Sequence, residues 1–125
     1  DRLLEKLSSG LINSIWLQLG SDINLLDNGI LFLKKNIKNN SFNKEQDIKL
    51  YGSLFVPTKQ SLARFKFRPW KGVFFSDQYL NSIEKAEYLT RNILKIYLKN
   101  KIDLLIESEC SSIKQLKNAK SILAF

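Results

Sequence analysis

Four cations and five aromatic rings crowd one short stretch, ARFKFRPWKGVFF, residues 63–75. Arg64, Lys66, Arg68 and Lys71 alternate with or flank Phe65, Phe67, Trp70, Phe74 and Phe75. Rings interleaved with cations suit single-stranded nucleic acid. Bases stack on the rings, at about 1–3 kcal/mol each, while ammonium and guanidinium groups meet phosphates. Sheet-based RNA readers share this general design. The strict order from Arg64 to Arg68, basic then Phe, has the period of a strand. Such a strand turns Phe65 and Phe67 into the core and Arg64, Lys66 and Arg68 into solvent. Trp70 and Lys71 then sit at a turn tip. The same charges also serve to blunt an exposed strand edge.

A second basic set is Lys114, Lys117 and Lys120. The three-residue spacing predicts one stripe on a short amphipathic helix, able to dock on an anionic surface. The competing explanation is a solvated helix face. Paired acids form the third candidate. Glu84 with Glu87, and Asp103 with Glu107, fall one helical turn apart. Paired carboxylates bind Mg²⁺ or move protons when desolvated. Lysine or arginine lies within a turn of each pair, which favours surface ion pairing instead.

The missing residue types exclude much chemistry. With no histidine, the usual general base, the imidazole metal ligand and the Ser-His-Asp arrangement are gone. With one cysteine, Cys110, neither an internal disulfide nor a thiolate metal site can be built. Glu107 and Glu109 beside Cys110 disfavour its thiolate. No P-loop, G-x-G-x-x-G, nucleophile elbow or H-E-x-x-H is present. The chain reads as non-catalytic, without cofactor or metal.

A net charge of +8 over 125 residues attracts RNA, DNA, acidic proteins or anionic lipid heads. Lysines outnumber arginines 16 to 4, and Asn and Ile are plentiful, a bias of AT-rich genomes such as those of low-GC bacteria and organelles. Arg is the more usual choice for reading phosphate and bases. No run approaches the roughly 20 apolar residues of a membrane span. The chain begins at Asp1 without an initiator Met or leader pattern, which reads as a mature form or trimmed segment. One cysteine fits a reducing compartment: cytoplasm, plastid or mitochondrial interior.

The elements that position these residues follow from periodicity. Leu3, Leu4, Leu7, Leu11 and Ile15 predict a first helix, and Ile23, Leu26, Ile30, Leu33 and Ile37 a second. Gly20 is placed to stop the first helix, and Ser21 or Asp22 to cap the second. Residues 1–38 therefore predict a helical hairpin, and residues 39–47 a polar loop. Leu50–Val56 reads as a strand ended by Pro57, with Thr58 capping a single turn through Leu62. Residues 64–68 and 73–76 predict two more strands around a Pro69–Gly72 turn. A small central antiparallel sheet over 48–76 results.

In the last third, Ile83, Ala86, Leu89, Ile93, Leu94 and Tyr97 predict a long buried helix capped at Ser76, Asp77 or Ser82. Ile102, Leu105 and Ile106 continue it with a shift. Ser111 and Ser112 open a short final helix. The expected fold is one helix-dominated α+β domain, 1–125, with its last third (77–125) helical. The expected function is a non-catalytic binding or assembly subunit whose basic face meets RNA in a ribonucleoprotein or an acidic protein surface. The alternative is a structural protein–protein adaptor or linker in a large, organellar complex. Its partners would be an anionic macromolecule and other subunits of an assembly.

Overall fold

A computed structural model describes residues 2–39 and 48–124. The elements in chain order are α1 (Arg2–Ser8), β1 (Ser14–Leu17), α2 (Ile23–Asn39), β2 (Lys49–Phe55), α3 (Lys59–Phe67), α4 (Asp77–Asn81), α5 (Ile83–Lys99), β3 (Asp103–Glu107) and α6 (Ile113–Leu123). The fold mixes helix and strand, with helix in the majority. The three strands form one sheet in the order β1-β2-β3, and both pairings are parallel.

The parallel sheet corrects the expected antiparallel one, for two reasons. Residues 64–67 coil into α3, with Arg68 as its C-cap, rather than forming a strand. The basic-aromatic alternation spans only five residues, while Leu62 and Phe65, three apart, are the pair that reaches the core. Thr58 then fixes the helix start. Its Oγ1 accepts the Ser61 N–H at 3.0 Å, and Ser61 Oγ accepts the Thr58 N–H at 2.9 Å. This reciprocal cap satisfies two donors that a helix start leaves open. It starts a helix through Phe67 where a single turn was expected. Residues 73–76 likewise form no strand; Phe74 makes one isolated parallel bridge to Gly20.

The predicted N-terminal hairpin also breaks. The backbone leaves α1 at Ser8, and Gly10 takes φ 71°, a left-handed conformation cheap for Gly. Leu11, counted in the helical stripe, is 88 % exposed. Ser14–Leu17 is a strand because Lys49–Gly52 supplies its ladder partners. At the other end, Lys101 (φ 54°) reverses the chain, and Asp103–Glu107 pairs with β2 instead of extending the helix. The polar loop expected over 39–47 falls outside the described residues from position 40 onward.

Several expectations hold. Leu50–Val56 is strand through Phe55. Asp22 Oδ1 accepts the Leu25 N–H at 2.9 Å at the start of α2. Ser76 caps α4, Ser82 caps α5 and Ser112 caps α6. The α5 helix buries Ala86, Thr90, Ile93, Leu94 and Tyr97.

The core lies between one face of the sheet and α2 with α5. Ile30, Leu54, Ile93, Leu94, Tyr97 and Ile102 form its centre, with Leu17, Leu50 and Leu104 joining from the strands. Side chains alternate across a strand. Since a Cβ on Gly52 would point at Tyr97, Leu50, Gly52 and Leu54 face α5. Tyr51, Ser53 and Phe55 face the other way. At the carboxyl end of β2, Phe55 is covered by Phe65 of α3 and by Val73 and Phe75. Ala119 and Ile122 of α6 pack with Val56, the residue after β2. Among the described residues no helix is long and apolar enough to cross a membrane.

Candidate functional site

Helical rotation separates Lys66 from the two arginines expected to share its face. At about 100° per residue, Arg64 and Lys66 point roughly oppositely. Arg64 pairs with Glu109, the only ion pair among the described residues. Lys66, Arg68 and Lys71 are exposed. The two phenylalanines separate too: Phe65 is 1 % exposed and Phe67 is 90 % exposed. Trp70 is not a free ring at a turn tip, although the Val73 N–H to Trp70 C=O bond closes a turn there. Its indole stands edge-on to Phe65 with centroids 4.7 Å apart, and edge-on to Phe55 at 6.0 Å. Phe75 stacks on Phe65 and on Tyr79, each at 4.7 Å. The stretch therefore builds an internal ring cluster, with Trp70 as its half-open lid. Burial pushes the Tyr79 hydroxyl up to about 12 against an opposing hydrogen bond with Thr90.

Lys114, Lys117 and Lys120 lie exposed along α6, as the spacing predicted. Ile113 and Leu116 are exposed on the same helix, and Ala119 and Ile122 are buried. The acids do not form paired sites. Glu84 is fully exposed; its own backbone N–H, Ser82 and then Lys59 hold its carboxyl below the ordinary range. Asp103 and Glu107, expected one turn apart, stand at opposite ends of an extended strand, about 13 Å along the chain. Among the described residues no group of three or more His, Cys, Asp or Glu side chains is placed to hold a metal ion.

Spacing within single segments does not reveal the feature with the most exposed aromatic surface on the sheet. Register aligns Trp16 with Tyr51 and Asp103, and Ser53 with Leu105, all on the face away from α5. Trp16 and Tyr51 stack at 5.2 Å and 18°. The Trp16 Nε1–H donates to Ser53 Oγ at 2.9 Å, which ties the edge of the indole to a hydroxyl of a buried residue. Trp16 is nonetheless 53 % exposed, and Leu105, beside Ser53 on the same face, is exposed too. The available signal was Ile15-Trp16-Leu17, a branched and aromatic run soon after Gly10.

A cleft of about 520 Å³ opens at the β1 edge, between β1 and α2. Ile15, Leu17, Leu25, Phe32 and Phe74 give it apolar walls. It lies by the carboxyl end of β1, where open α/β sheets hold ligands. Its hydroxyl and carboxylate are already engaged: Ser21 Oγ accepts the Ser76 N–H at 2.7 Å, and Asp22 caps α2. The cleft offers shape and apolar surface rather than reactive groups. No family model matches the chain, and no curated protein or solved structure matches it either.

Proposed function

We propose that the chain acts by association: a non-catalytic binding and assembly subunit that meets an acidic protein surface with the open half of its sheet. The observation that carries this is the Trp16–Tyr51 stack, left half exposed on an all-parallel sheet. Parallel sheets are ordinarily covered on both faces, because their strands are apolar on both sides. Here α2 and α5 cover one face, and α3 with Trp70 covers only the carboxyl end of the other. Exposed aromatic rings at a patch centre are also the usual anchors of interfaces.

Charge selects the partner. A net +8 opposes close approach of a second copy and speeds encounter with an acidic surface. Arg68 and Lys71 flank Trp70 in the chain, and both are exposed. A reducing interior, cytoplasmic or organellar, fits the free Cys110. The test is a photo-crosslinking residue placed at Trp16 or Leu105, with Lys117 as control position. A nuclease-resistant adduct to one acidic protein from the first two positions, lost with Tyr51→Ser, supports the reading. Equal capture from Lys117 overturns it.

A second reading, single-stranded RNA binding, is favoured by Phe67. This ring stands almost wholly in solvent between exposed Lys66 and Arg68. RNA affinity that falls steeply with salt and drops on Phe67→Ala would select it.

A further inference from the structure

Four lysines line one cleft at the amino ends of β2 and β3. Lys34 and Lys38 come from α2, Lys49 opens β2, and Lys101 sits in the turn before β3; the cleft holds about 360 Å³. Among the described residues Asp103 is the one carboxylate on its wall, and Ile37, Ile48, Leu50 and Ile102 give it an apolar floor. Both α2 and α5 end nearby, and cations are expected at helix carboxyl termini. Lys34 fills that role, donating from Nζ to the Asn100 carbonyl at 2.6 Å.

Lys38 lies in the last turn of α2 and complements that helix's dipole too, while Lys49 and Lys101 belong to no helix. Lys38, Lys49 and Lys101 make no side-chain hydrogen bond or ion pair with any described residue. Lys101 reaches the wall from a left-handed backbone position (φ 54°), a conformation that favours Gly or Asn. With Asp103 as the acid among the described lining residues, the lysines leave the concavity a local excess of positive charge that favours an anion. Lysine ammonium groups are point-charge partners for phosphate, and the floor suits an organic group attached to it.

We propose that this cleft binds a phosphate-bearing small molecule, with Lys38, Lys49 and Lys101 on the phosphate. The site is independent of the sheet-face reading and stands or falls without it. The experiment titrates the chain with inorganic phosphate, inorganic pyrophosphate and phenyl phosphate, followed by amide NMR shifts and calorimetry. Saturable binding is expected, with shifts concentrated at residues 37–38, 48–50 and 100–103.

The combined variant Lys38→Gln, Lys49→Gln, Lys101→Asn should weaken it about tenfold or more. Asn is chosen to keep the left-handed turn. The equal-charge control Lys114→Gln, Lys117→Gln, Lys120→Gln should change it less than about twofold. If the first variant fails to fold, Lys38→Gln on the exposed helix surface gives the same comparison against Lys117→Gln. Absence of saturation, or equal weakening by both variants, overturns the site. Phenyl phosphate binding tighter than inorganic phosphate assigns the apolar floor to the ligand's organic part. Equal binding restricts the site to the bare anion.

Discussion

The Tyr97 ring occupies the space a side chain at residue 52 would need. A Cβ built on Gly52 would fall 2.5 Å from Tyr97 Cε1 and 2.6 Å from Cζ. The ring cannot easily yield, being 1 % exposed in the core and donating its hydroxyl to the Ser53 carbonyl at 3.3 Å. Gly52→Ala should therefore destabilise the fold by about 1–3 kcal/mol, the ordinary cost of overpacking. Gly29, in the middle of α2, has nothing within 4 Å of the place a methyl group would take, so Gly29→Ala should stabilise by about 0.5–1 kcal/mol. Urea unfolding of the two variants measures the opposite signs.

Phe65 and Phe67 test the helix against the strand. A strand would make them equivalent. In α3, Phe65→Ala should cost about 3–5 kcal/mol, since the ring packs among Phe55, Trp70 and Phe75. Phe67→Ser should stay within about 0.5 kcal/mol of the parent. Equal losses in thermal denaturation would refute the helical assignment of this stretch.

The indole hydrogen bond of Trp16 is separable from its ring. Trp16→Phe keeps a ring able to stack on Tyr51 and removes the donor to buried Ser53 Oγ. A loss of about 0.5–1.5 kcal/mol is expected in denaturant unfolding. The double variant Trp16→Phe, Ser53→Ala should recover part of it, because no buried hydroxyl is then left unpaired.

Alkaline pH should loosen the core around Tyr79 and Tyr97. Burial pushes the Tyr79 and Tyr97 hydroxyls from 10.0 up to about 12. A group whose folded value is raised binds more protons folded than unfolded between those two pH values. Its stabilisation is full below pH 10 and is lost as pH rises toward 12, at up to about 1.4 kcal/mol per pH unit for each tyrosine. Tyr97→Phe should remove part of that slope, read from melting temperatures across the range.

Helix caps and the central helix were legible in the chain because their signals are local. Thr58, Ser76, Ser82 and Ser112 each precede a helix, and the apolar arc from Ile83 to Tyr97 is wide enough to demand burial. β1 and β3 were not legible. Leu11 and Ile15, or Ile102 and Ile106, satisfy a four-residue spacing as well as an alternating one. Only a distant strand decides between them. The candidate site suffered from the same ambiguity in reverse: five alternating residues imitated a strand, while Leu62 and Phe65 marked the helix. The Trp16–Tyr51 face required a register that joins positions 16 and 51, which spacing within either segment does not contain.

That register carries a kinetic consequence. Ser14 pairs with Lys49, and Tyr51 with Asp103, separations of 35 and 52 residues. No hairpin is available as an early nucleus, so each strand pairing must first close a long loop and bear its entropy. During synthesis β2 emerges only after α2 is complete, and β3 only after α3, α4 and α5. Until Asp103–Glu107 leaves the ribosome, one flank of β2 stays unzipped, and the order of emergence dictates the order of assembly.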